Sequence, residues 1–330
     1  MKLVTTLIAA AFATVAYAGN TTGAGASFPA PIYFKWAEQY AETGVKANYT
    51  SIGSSGGIKQ IDARTVDFGA TDDPRKAADV AAKAQYQFPT VMGGVVIVLN
   101  VDGIAAGQLK LDGATAAAIF DGTIRNWNDQ RISKLNPGVK LPNSKINIAV
   151  RADGSGTTAV FTDYLVKQSE NFKNTVGKGK RVKWPDNSIG GKGNAGVAQT
   201  VQQLKDTIGY VEYAFAKSNN IPHVAMINKS GKLVQPSAEA FKAAAAGADW
   251  NTPAMAVNLN DQLGDGSWPI TSATFILVYD DRSDRSKNAV KFFDWAFAEG
   301  DKAAEELDYV PLPDGVKEKI RSDWKRLGLK

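Results

Sequence analysis

Apolar positions recur along this chain in two alternating rhythms. Val45-Lys46-Ala47-Asn48-Tyr49-Thr50 switches between apolar and polar at every step, the period of a strand with one buried face. Just before it, Tyr33, Trp36, Ala37 and Tyr40 fall three and four apart, the period of a helix. Val66 to Ala70 reads as a short buried strand. Val91 to Asn100 is apolar almost throughout, as expected of a strand covered on both faces. The same exchange continues through strand-like Ile146–Val150, helical Val160, Phe161, Tyr164 and Leu165, and strand-like Ile208–Tyr213 and Ile270–Val278. Amphipathic helices close the chain at Val290–Phe297 and Val316–Leu327. Strands that alternate with helices predict an α/β protein with largely parallel sheets.

Three of the junctions share one chemistry. Ala26-Ser27-Phe28, Ser54-Ser55-Gly56 and Ser155-Gly156-Thr157 each put small and hydroxyl residues where a helix begins. A helix start presents unpaired N–H groups and the positive end of its dipole. One such turn is an ordinary cap, with Ser27 or a neighbour expected to cap a helix that has Pro29 in its first turn. Three of them, with Arg151 and its neighbour Asp153 at the last, suggest helix ends meeting on one anion. In open α/β sheets ligands bind beyond the carboxyl ends of the strands, where these turns would lie. At Thr71-Asp72-Asp73-Pro74, Asp73 is expected to cap a helix whose first position is Pro74. That leaves Asp72 without a structural task.

Composition narrows the chemistry further. The 330 residues are 44% hydrophobic and 22% charged, enough for one large or two medium domains. The formal charge of +5 comes from lysines spread along the chain, without the basic stripe that nucleic-acid binding requires. There is no cysteine and only one histidine, His223, which excludes disulfides, thiol catalysis and a zinc or copper centre of the usual kinds. No cofactor is expected. Residues 1–18 read as a secretory signal: Lys2, an apolar core, and Ala16-Tyr17-Ala18 offering cleavage after Ala18. The apolar core is short for a membrane span. An exported chain without an anchor fits the periplasm.

Two nucleotide motifs fail on inspection. Gly23 and Gly25 imitate a dinucleotide fingerprint whose sixth position is here Phe28, and Gly191-Lys192 lacks the glycine and hydroxyl of a P-loop. A stronger rival is Gly53-Ser54-Ser55-Gly56-Gly57, which matches the G-x-S-x-G elbow of α/β-hydrolases in a strand–turn–helix context. A secreted serine hydrolase would use Ser55 as nucleophile and His223 as base, but it leaves the other two turns unexplained.

Several segments together resemble the PstS-type periplasmic phosphate-binding proteins, which serve an ABC phosphate importer. They are Thr22–Pro31, Gly53–Gly57, Val66–Ala70, Arg151–Thr157, Gly209–Tyr213 and Trp268–Ser272, and the likeness covers essentially all of the chain after residue 18. The resemblance implies a type II periplasmic binding fold, two α/β lobes with crossing strands and a cleft. It implies one discontinuous lobe over 19–91 and 265–330 and another over 92–264. By matching motif it implies phosphate contacts at Ser27, Phe28 (main-chain amide), Ser54, Asp72, Arg151, Ser155, Gly156 (amide) and Thr157, with Asp153 bracing Arg151. The expected partners are inorganic phosphate and the permease subunits, with a monomeric, non-enzymatic protein. Val150 and Asp73 depart from the family's common residues, the first removing a positive charge and the second adding a negative one.

Overall fold

The computed structural model describes residues 19–330, so the expected signal over residues 1–18 lies outside the described residues. The strands are β1 Thr21–Gly25, β2 Ala47–Ser51, β3 Phe68–Thr71, β4 Gln85–Asn100, β5 Lys110–Leu111 and β6 Asn147–Arg151. They continue with β7 Ser188–Gly191, β8 Thr207–Glu212, β9 Ala225–Ile227, β10 Leu233–Val234, β11 Thr271–Tyr279 and β12 Val310–Pro311. Among the described residues the main sheet runs β2-β1-β3-β11-β4-β8-β6-β7, and β12 also pairs with β4.

The two ends of this sheet are parallel, β2-β1-β3 on one side and β8-β6-β7 on the other. Its centre is antiparallel, because β11 pairs against both β3 and β4, and β4 pairs against β8. The expectation of largely parallel sheets is therefore corrected at the middle. Apolar runs report that a strand is covered on both faces, and carry no information about its direction.

β4 explains this arrangement. Residues Gln85 to Gly94 pair with β11, and Val95 to Asn100 pair with β8. The chain returns beside the same point, where the Val95 N–H donates to the Ile270 carbonyl at 2.8 Å. One strand thus belongs to both halves of the molecule. At the passage sit Gly93 and Gly94. A Cβ on Gly94 would lie 2.0 Å from the Phe241 ring, and one on Gly93 would crowd the Phe28 ring at 3.1 Å. The glycines let side chains from both halves close over the crossing.

Each half has its own aromatic packing. In the first, Phe293 of the helix Asp284–Glu299 meets Tyr33, Phe68 and Phe88 edge-on at centroid distances of 5.7, 5.0 and 5.7 Å. In the second, Phe161 of the helix Gly156–Gln168 stacks on Tyr210 of β8 at 4.3 Å. All are buried, each worth about 1.5–3 kcal/mol of transfer free energy. The Phe161 contact fixes the helix whose first turn enters the site. Among the described residues no helix is long and apolar enough to cross a membrane.

Candidate functional site

Four helix starts converge at the seam between the halves. They belong to Ala30–Tyr40 and Ser54–Asp62 on one side, and to Gly156–Gln168 and Gly193–Gln203 on the other. Across the seam the Gly156 N–H donates to Ser54 Oγ at 3.0 Å, and the Ser55 N–H donates to the Gly154 carbonyl at 3.0 Å. Gly156 is required by this approach, since a Cβ there would lie 2.5 Å from both Ser54 Oγ and Asp72 Oδ2.

The serines divide their work. Ser155 caps its own helix, accepting the Thr158 N–H at 3.0 Å. Ser27 does not cap: the helix that follows begins without a side-chain cap. Instead Ser27 Oγ accepts from the Asn194 amide N–H at 3.1 Å and from Asn194 Nδ2 at 2.9 Å. The competing partner lies 167 residues away, beyond reach of a capping rule that looks only a few residues along the chain. Asn194 Nδ2 also donates to Thr157 Oγ1 at 3.2 Å, so one buried amide holds hydroxyls from both halves. Each hydroxyl keeps its own proton free to donate.

Charge is held as tightly. Arg151 ends β6 with its side chain 1% exposed, and its Nε and Nη2 donate to Asp153 Oδ1 and Oδ2 at 2.8 and 2.5 Å. Burial would raise the Asp153 carboxyl. The hydrogen bonds and charge of Arg151, with the Gly193 N–H, hold it below the usual carboxylate range instead. Arg151 Nη1 points the other way, toward Thr157 Oγ1 at 3.4 Å.

Asp72 is the buried acidic group among the expected anion contacts. Oδ1 accepts from the Thr274 hydroxyl at 2.8 Å, while Oδ2 finds no donor among the described residues. Burial, with some help from Asp73, pushes its carboxyl up to about 7 against the opposing pull of Thr274, Arg151 and Ser54. A lone buried carboxylate oxygen costs on the order of several kcal/mol unless something donates to it. It faces the first turn of the Gly156 helix.

Asp73 does not cap a helix, which corrects the expectation. The helix starts at Ala77 with Lys76 in the cap position. The Arg75 N–H donates to Gln87 Oε1 at 2.8 Å, and its guanidinium clamps Asp62 and Gln85. Those bonds hold the segment against β4. Asp73 then pairs across the seam with Lys180.

Thus Ser27, Ser54, Asp72, Arg151, Asp153, Ser155, Gly156 and Thr157 come together at one seam. Phe28 stands beside them with its ring buried and its carbonyl accepting from the Tyr309 hydroxyl at 2.6 Å. Ser55 and His223 do not pair. Ser55 begins a helix of the first half, whereas His223 bridges to Val98 and packs edge-on against Tyr213. A surface recess of about 1,050 Å³, lined by Met92, Lys242, Asp301 and Tyr309 among others, includes none of the expected anion contacts.

The model of the PBP superfamily domain matches residues 11–299. The phosphate-binding protein PstS of Pasteurella multocida is 53% identical over 318 residues, covering 95% of this chain and 92% of that protein. PstS of Haemophilus influenzae is 53% identical over 314 residues, covering 94% of each. The chain belongs to the PstS family of phosphate-binding proteins.

Solved structures agree on the PstS architecture. A phosphate-binding protein from Stenotrophomonas maltophilia superposes with a TM-score of 0.72 at 20% identity, over 92% of this chain and 93% of that one. The high-affinity periplasmic phosphate-binding protein PfluDING, bound with phosphate, gives 0.70 at 20% identity over the same shares. At that identity the likeness concerns the fold, which is the type II periplasmic binding fold. Sequence reasoning missed Asn194, Thr274 and Tyr309 as neighbours of the PstS site. Asn194 lay in the glycine-rich stretch dismissed as a P-loop, and a buried role for its amide left no local signal.

Proposed function

We propose that this chain captures one inorganic phosphate between its two halves and delivers it to an ABC-type permease, without catalysing a reaction. Its ligand contacts are Ser27, the Phe28 amide, Ser54, Asp72, Arg151, Ser155, the Gly156 amide and Thr157, with Asp153 holding Arg151 in place. The two lobes of the proposal are 19–91 with 265–330, and 92–264, turning about the shared strand β4. Export directed by residues 1–18, cleavage after Ala18 and a monomer in the periplasm complete the reading. No nucleic acid and no cofactor take part.

The observation that carries the proposal is Asp72 Oδ2, a buried oxygen without a donor set among hydroxyls, amides and Arg151. Those donors suit an oxyanion, and an unpaired acceptor among them suits an oxyanion that still bears a proton. Phosphate near neutral pH has that proton and sulfate does not. Discrimination arises from the group that the wrong ligand leaves unpaired. A ligand of five heavy atoms reaches about −7.5 kcal/mol at the usual ceiling, roughly micromolar, so tighter capture needs charge-assisted bonds shielded from water.

Isothermal titration of the purified protein tests this. One phosphate per chain, unaffected by excess sulfate and retained in His223→Ala, is the expected result. Heat from sulfate equal to that from phosphate, or no heat from phosphate, would overturn it.

A further inference from the structure

Glu212 lies in the Gly209–Tyr213 motif, outside the set of anion contacts, and is completely buried at the end of β8. It pairs with Val95, where β4 passes between the halves. Its own N–H donates to Asn194 Oδ1 at 3.0 Å, and Asn194 in turn holds Ser27 and Thr157. Its carboxyl Oε2 lies 2.9 Å from the Ala214 N–H and 3.0 Å from the Tyr309 hydroxyl. That hydroxyl is 2.6 Å from the Phe28 carbonyl oxygen. The other carboxyl oxygen, Oε1, meets no donor among the described residues.

The protons in this chain of contacts can be counted. A carbonyl only accepts, so the 2.6 Å contact takes the single proton of Tyr309. Tyr309 Oη is then left as an acceptor toward Glu212. An ionised Glu212 has no proton to give, and two acceptors would face each other at 3.0 Å in a buried site. Oε1 argues the same way, because a buried carboxylate oxygen without a donor costs far more than the carbonyl of a neutral acid. Burial holds the carboxyl well above the ordinary range, and the charges of Asp308 and Asp72 add to it, against the Ala214 amide and Tyr309. The nearby cation Lys217 is engaged by Asp308.

From this geometry we infer that Glu212 is a neutral carboxylic acid that donates to Tyr309 and so orients the Phe28 carbonyl, making it a positioning residue for the anion contacts at Ser27 and Phe28. The Ser27 hydroxyl and the Phe28 carbonyl are both steered by this one residue, the first through Asn194 and the second through Tyr309. Neutrality also serves the site, since a second buried negative charge beside Asp72 would oppose an incoming anion. The inference rests on the phosphate reading for its affinity measurements, but not for the protonation itself.

The test has two arms on the full-length protein. Infrared difference spectra near neutral pH, without phosphate, compare wild type with Glu212→Gln and Asp72→Asn. The expected result is a carboxylic-acid carbonyl band that Glu212→Gln removes and Asp72→Asn leaves. Removal of a carboxylate band by Glu212→Gln instead would overturn the inference. In the second arm, Tyr309→Phe should weaken phosphate binding about tenfold, the scale of one buried acceptor left unpaired. Adding Glu212→Gln to Tyr309→Phe should cost less than about a further twofold, because both act along one path. Glu212→Gln alone should leave the shape of the affinity profile between about pH 6 and 8.5 unchanged. Wild-type affinity in Tyr309→Phe, fully additive losses, or a titration step that Glu212→Gln abolishes would each overturn it. Failure of wild type to bind phosphate would strike the proposed function and leave the spectral arm intact.

Discussion

The backbone N–H of Gly156 donates to the side-chain oxygen of Ser54 at 3.0 Å, across a seam that separates residues 102 positions apart in the chain. This bond joins two helix starts and sets the spacing of the donors around it. It also separates Ser54 from its neighbour Ser55, whose N–H donates to the Gly154 carbonyl of the other half.

Ser54→Ala therefore removes the acceptor for Gly156 and one hydroxyl of the site. Phosphate affinity should fall about tenfold by isothermal titration. Ser55→Ala should stay within about twofold of wild type. The reverse order would revive the nucleophile elbow as the meaning of this turn.

Asp72→Asn should erode selectivity more than affinity. Sulfate competes poorly with wild type and should compete measurably with the variant. The same residue gives a pH signature without ligand. Its folded-state carboxyl, pushed up to about 7, lies above its unfolded value, so the native state holds more protons between about pH 4 and 7. Stability from this group is complete below that window and is lost as pH rises through it. The thermal midpoint should fall from acid toward neutral pH, and Asp72→Asn should flatten part of the fall. Glu212, shifted the same way, supplies a further part, so a slope as steep in Asp72→Asn/Glu212→Gln as in wild type would contradict both assignments.

Arg151→Ala leaves Asp153 as a largely buried carboxylate without its bidentate partner. Breaking such a pair from one side costs about 3–5 kcal/mol. Phosphate affinity should drop about a hundredfold or more, with a lower thermal midpoint. Arg151→Ala/Asp153→Ala should recover most of the midpoint but not the affinity. A double variant that binds like wild type would remove Arg151 from the ligand.

Asp73 and Lys180 pair across the seam while both remain partly open to water. Exposed pairs of this kind contribute less than about 1 kcal/mol and weaken with salt. Lys180→Ala should speed phosphate release a few-fold in stopped-flow measurements at low ionic strength, with little change at high. An equal effect at both would mean that the pair acts through packing instead.

The legible part of this molecule was local. Turn chemistry at Ser54 and Ser155, the cation at Arg151 and the unexplained Asp72 all stand in short segments, where residue type and spacing reveal helix starts. What stayed hidden depended on partners far along the chain. Ser27 looks like a cap until Asn194 is brought to it, and Asp73 looks like one until Arg75 is tied to Asp62, Gln85 and Gln87. The antiparallel centre was hidden for a related reason. Gln85 to Asn100 is nearly buried from end to end, and a strand covered on both faces shows no periodicity from which direction or partner could be read.

β4 has a consequence beyond holding the halves together. Because a single sixteen-residue strand lends its first ten residues to one half and its last six to the other, neither half owns a complete sheet. Cut away from its counterpart, either would expose a raw, apolar ribbon edge ready to recruit the same edge from another molecule. The protein looks bipartite, yet its two halves share one strand and must come into being together.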